Sequence, residues 1–121
     1  GQFQWLNEPR VTGAQKQILG LGRIKPGKGH TRHNHEDSEE FIYFLEGKAN
    51  QTIENEDGVQ EKELGPGEMV YIPQGAYHST INVGDGDLVF LCCYLNAGSE
   101  LAIAKDAIEI LPPKNNWKKE E

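Results

Sequence analysis

Cysteine is nearly absent from this chain, and the only two, Cys92 and Cys93, are neighbours. Adjacent residues on a strand point to opposite faces, so a bridge between them is not expected and no disulfide framework organises the fold. They read as small buried apolar residues, in keeping with a reducing cytoplasm. No apolar run approaches the ~18 residues that cross a bilayer. The N-terminal GQFQWLNEPR lacks the basic-then-apolar pattern of a secretory leader, and the expected location is cytoplasmic. Positive charge is also short: 12 Lys and Arg stand against 19 Asp and Glu, a formal net charge of -7. Nucleic acid needs a basic footprint, and an anionic membrane surface needs basic clusters, so neither is an expected partner. Long amphipathic helical patterns are missing from the middle of the chain. Histidine is scarce too, at 4 in 121 residues, yet three of them fall within His30–His35.

Turn residues are plentiful: 14 Gly and 6 Pro punctuate the chain. Between them lie strand-length runs: KQILGLGRI, HTRHNH, FIYFLEG, KANQTIEN, VQEKEL, MVYIP, HSTINV and DLVFLCCYL. Branched and aromatic residues dominate several of these, and Asp57-Gly58 is a hairpin-turn signal between two of them. About eight short strands at even spacing predict an all-β sandwich or barrel in one domain. Residues 1–15 read as an N-terminal arm and 16–96 as the β-domain. Residues 97–121 read as a C-terminal segment, a short helix or an edge strand around 99–111, ending in a loose charged tail.

Alternate side chains of a strand share a face, so His33 and His35 are expected side by side, with Asn34 turned away. An acidic residue follows after a short loop, and His78 opens a later strand. Three imidazoles and a carboxylate able to converge make a transition-metal site. By the same alternation Ile42, Phe44, Gln51, Thr80 and Asn82 are candidates to line the interior. Tyr77, just before His78, is a candidate catalytic hydrogen-bonding group. Tyr43, Tyr71, Tyr94 and the phenylalanines read as core. His30 shares strand parity with neither His33 nor His35, which predicts a place on the rim.

The spacing goes further than an H-x-H pair. In PGKGHTRHNHEDSEEFIYFLEG, Gly27, His33, His35, Glu40 and Gly47 are separated by five, one, four and six residues. In GEMVYIPQGAYHSTIN, Gly67, Pro73, Gly75, His78 and Asn82 are separated by five, one, two and three. These two stretches resemble the paired motifs of the cupin superfamily at every fixed position. The resemblance implies a jelly-roll β-barrel. It also implies one divalent transition metal (Fe, Mn, Ni or Zn) held by His33, His35, Glu40 and His78. Glu40 is taken over Glu39 because six residues separate it from Gly47.

Cupin-like sites serve dioxygenases, decarboxylases, isomerases and binding modules alike, and fold does not choose among them. The leading expectation is a metal-dependent enzyme for a small anionic or dicarbonyl metabolite. The alternative is a non-catalytic metal-containing module that binds a small molecule or sugar, such as a sensor. A homodimer is expected, with the segment FQWLNEPRVTGAQKQILGL and its Trp5, Leu6, Ile18 and Leu19 as the candidate contact.

Overall fold

The computed structural model describes residues 2–95 and 108–109. Ten strands make two sheets, and no helix occurs among the described residues. The strands are β1 (Gln2–Asn7), β2 (Gln17–Ile24), β3 (Gly29–His33), β4 (Glu40–Glu46), β5 (Ala49–Asn55), β6 (Gly58–Leu64), β7 (Met69–Ile72), β8 (His78–Asn82), β9 (Leu88–Leu95) and β10 (Ile108–Glu109). One sheet runs β10-β1-β2-β9-β4-β7 and the other β3-β8-β5-β6. All pairings are antiparallel except β1 with β10, so the fold is an all-β jelly-roll barrel, as expected. The Asp57-Gly58 turn joins β5 to β6, with the Asp57 N–H donating to Asn55 Oδ1 at 2.9 Å. In the C-terminal segment Ile108–Glu109 forms an edge strand; the rest of the region expected to hold a helix and a tail lies outside the described residues.

Side-chain alternation on β4 sets the two faces. Glu40, Ile42 and Phe44 point inward and are buried, whereas Phe41, Tyr43 and Leu45 point outward and are exposed. Tyr43, Tyr71 and Phe41, expected in the core, therefore lie on the outer face of the six-stranded sheet. Strand parity overrides their hydrophobicity. Tyr94, Phe3, Phe44 and Phe90 do fill the interior.

The N-terminal arm supplies a strand and part of the core. β2 presents Ile18, Gly20, Gly22 and Ile24 to the interior, which leaves a notch at the two glycines. Phe3 pairs opposite Gly22 and Trp5 opposite Gly20, and both rings are buried. A Cβ on Gly20 would stand 2.8 Å from Trp5 Cζ3, and one on Gly22 would stand 2.3 Å from Phe90 Cζ, so these positions need glycine. Aromatic rings thus fill the space that the cross-strand glycines leave open. Trp5 and Ile18, expected at a subunit contact, are fully buried in the chain's own core and unavailable for one.

Candidate metal centre

His33 ends β3, His78 opens β8, and the two are paired across the four-stranded sheet. His35 lies beyond β3, in the loop before β4, so strand alternation is not what aligns it with His33. That loop is pinned from two sides. The Gly75 N–H donates to the His35 carbonyl at 2.9 Å, and the Asn34 side-chain amide donates to the Gly75 carbonyl at 3.2 Å. At its other end the Ser38 hydroxyl donates to the Leu95 carbonyl at 2.8 Å and accepts from the Leu95 N–H at 3.0 Å. The result still brings His33, His35 and His78 together, with one ligand atom of each within 4.8 Å of the others.

The orientation of two imidazoles is set by backbone. His33 Nδ1 lies 2.7 Å from the Thr31 carbonyl and His78 Nδ1 lies 3.0 Å from the Ala76 carbonyl. A carbonyl only accepts, so each Nδ1 carries a proton and each Nε2 is left facing the interior, the atom a metal would take. The His35 ring is held parallel to Tyr94, with centroids 5.6 Å apart.

Glu40, the first residue of β4, closes the group. Its Oε1 lies 3.3 Å from His35 Nε2 and 3.4 Å from His78 Nε2, and its side chain is 7% exposed. These approaches are electrostatic and do not meet hydrogen-bond geometry: among the described residues, Glu40 Oε1 and His35 Nε2 are both buried without a hydrogen-bond partner. Burial would raise the Glu40 carboxyl, but the two imidazoles outweigh it and hold it at about 2. Burial also lowers His33, which favours the neutral imidazole. A buried carboxylate oxygen and an imidazole nitrogen that face one another without a hydrogen bond fit a cation, because a cation satisfies both at once. Glu39 lies outside the centre, exposed, with its Oε2 accepting from the Tyr71 hydroxyl at 2.6 Å.

The cavity around this group is small, about 10 Å³, near the room one water needs. Thr80 and Ile42 line it, together with Phe3, Phe90, Cys92 and Tyr94. Burial raises the Cys92 thiol well above its ordinary range, so it contributes an apolar wall. The other candidates stand elsewhere. Phe44 is core. Gln51 accepts a 2.6 Å hydrogen bond from the Thr80 hydroxyl and faces a second cavity beside Leu64 and Val70. Asn82 donates to the carbonyls of Ile24 and Gly86 and accepts from the Gly84 N–H, which makes it a clamp for the turn before β9. Tyr77 points outward, with the Arg32 guanidinium 3.9 Å above its ring, because it precedes an inward-facing residue.

His30 is the residue that sequence periodicity misplaced. It lines the cavity instead of the rim. His30 pairs with Thr80 and His33 with His78, so three residues of β3 span two of β8 and the register shifts between them. This bulge turns both histidines inward. Burial, and then the neighbouring imidazoles led by His33, lower His30 to about 4.

The Cupin domain family model matches residues 20–94. An uncharacterized protein of Methanocaldococcus jannaschii is 34% identical over 88 residues, covering 73% of this chain and 67% of that protein. A glucose-6-phosphate isomerase of Thermococcus kodakarensis is 33% identical over 81 residues, covering 65% of this chain and 42% of that enzyme. The structure of Lactobacillus farciminis oxalate decarboxylase in its formate complex superposes with a TM-score of 0.71 at 29% identity, covering 78% of this chain and 28% of that one. This chain thus spans 42% of the isomerase and 28% of the decarboxylase. With the jelly-roll barrel, the converging histidines and a family match over most of its length, the chain belongs to the cupin family.

Proposed function

We propose that the chain is a metal-dependent enzyme in which His33, His35, Glu40 and His78 hold one divalent metal that receives a small carboxylate or dicarbonyl substrate. The observation that carries this is the pair of orphaned buried atoms, Glu40 Oε1 and His35 Nε2, facing His33 and His78. Three neutral imidazoles and one carboxylate leave a divalent ion with a net charge of about +1, which favours an anionic chelating ligand. The metal would polarise a carbonyl or carboxylate oxygen. The protein fixes the ligand orientation through the Thr31 and Ala76 carbonyls. Ile42, Phe90 and Cys92 keep water from the bound molecule. The likeness to an oxalate decarboxylase supports a small acid as substrate, and the likeness to a glucose-6-phosphate isomerase supports an anionic one.

The test is metal analysis of protein purified without added metal, followed by decarboxylation, isomerisation and oxygen-uptake assays across small keto-acids, dicarboxylates, diketones and sugar phosphates. Turnover that disappears on metal removal supports the proposal; a chain that takes up no metal overturns it. The narrow cavity favours a second reading, a binding module that holds a small ligand on the metal without turning it over. Tight binding with no turnover under any metal decides for it.

We also propose that two copies pair through the outer face of the six-stranded sheet. Phe41 stands opposite Tyr71 and Tyr43 opposite Met69, and all four are exposed. Burying such an apolar patch favours a self-complementary contact. Light scattering at the monomer mass over a wide concentration range overturns the pairing.

A further inference from the structure

We propose that His30 is a second anchor for the ligand of the metal centre: its imidazole N–H donates to an oxygen of a small carboxylate whose other oxygen lies on the metal. The proposal rests on the metal reading above. The bulge in β3 places His30 on the same inner face as His33, so four imidazoles line one cavity. Only three of them form the close group, His33, His35 and His78; His30 stands beside it. Its ring is 5.8 Å from that of His33, centroid to centroid, and nearly perpendicular to it. Two aromatic walls fix its plane, Phe3 stacked at 5.0 Å and Phe90 edge-on at 6.3 Å.

His30 also differs from its neighbours in what its nitrogens do. His33 and His78 each commit Nδ1 to a backbone carbonyl. The His30 side chain makes no hydrogen bond with any described residue, its backbone alone pairing with Thr80 of β8, so its ring donor is available to a bound molecule. An immobilised imidazole with an uncommitted donor beside a cationic centre suits a two-oxygen anion bridging the two. Of the remaining walls, Phe3, Ile42, Phe90 and Cys92 are apolar, the Thr80 hydroxyl donates to Gln51 Oε1 at 2.6 Å, and the Tyr94 ring stacks on His35, which suits the space to a compact carboxylate.

The experiment compares wild-type, His30→Phe and His30→Gln chains loaded with Mn(II), measuring bound manganese and the formate affinity seen by Mn(II) electron paramagnetic resonance. His30→Phe keeps a flat ring against Phe3 and Phe90 but removes the donor; His30→Gln restores an N–H. The expected result is equal manganese in all three, formate binding weakened about tenfold or more in His30→Phe, and affinity partly restored in His30→Gln. Equal formate affinity in His30→Phe and wild type overturns the proposal. Loss of manganese in His30→Phe as large as in His78→Ala also overturns it, by making His30 a metal ligand. Wild-type protein that binds no manganese or other divalent metal overturns the metal reading itself and the anchor with it. Should His30→Phe fail to fold, His30→Leu against His30→Gln makes the same comparison.

Discussion

Replacing Glu40 by glutamine, with Glu39→Gln as its control, separates coordination from general electrostatics. Both changes remove one negative charge, one residue apart. Glu40 is buried against His35 and His78, whereas Glu39 is exposed and accepts from Tyr71. Losing an outer-shell partner of a metal site costs about 10- to 100-fold in affinity, so losing a direct ligand should cost at least about 100-fold, roughly 2.7 kcal/mol. A solvent-exposed charge is worth less than about 1 kcal/mol, so Glu39→Gln should change affinity by less than about fivefold. The assay is metal content by mass spectrometry after equilibration against a chelator of graded strength, with circular dichroism to confirm that each variant keeps the β-fold. Equal metal loss in the two variants would refute the coordination argument, since only direct contact distinguishes them.

Three further outcomes follow from the same geometry. In the metal-free chain His30 is lowered from 6.5 to about 4 and His33 is lowered too. The unfolded chain therefore binds more protons in that window, and stability should rise with pH from about 4 to 6.5. The His30 gap alone has a ceiling of roughly 3 kcal/mol at about 1.4 kcal/mol per pH unit. A urea midpoint that stays flat between pH 4.5 and 7.5 would contradict this; the Glu40 contribution is lost lower, as pH falls from 4.5 toward about 2. Trp5→Ala should empty the notch over Gly20 and cost about 3–5 kcal/mol by chemical denaturation, and a loss under about 1 kcal/mol would mean that the arm is not integral to the barrel. Tyr77→Phe should leave metal content and formate affinity at wild-type values, because its ring lies outside under Arg32; a tenfold loss of either would return it to the site.

The local pattern of the chain was enough for the strands and for most of the candidate centre. Turn residues bound each run, and alternation on β4 alone separates inward Glu40 from outward Phe41. The spacing from Gly27 to Asn82 carries the likeness that brings His33, His35, Glu40 and His78 together. What alternation could not supply was anything that depends on the partner strand. The bulge that turns His30 inward exists only as a mismatch between β3 and β8, three residues against two, and no periodicity in β3 shows it. Trp5 reads as a subunit contact until Gly20, about 15 residues later, is seen opposite it. Phe41, Tyr43 and Tyr71 read as core because hydrophobicity carries no information about which side of a sheet is covered. His35 reaches the centre from a loop, held by bonds to Gly75 far along the chain. Residue type and spacing specify what each strand can present, while cross-strand register and long-range hydrogen bonds decide which of those side chains share the cavity.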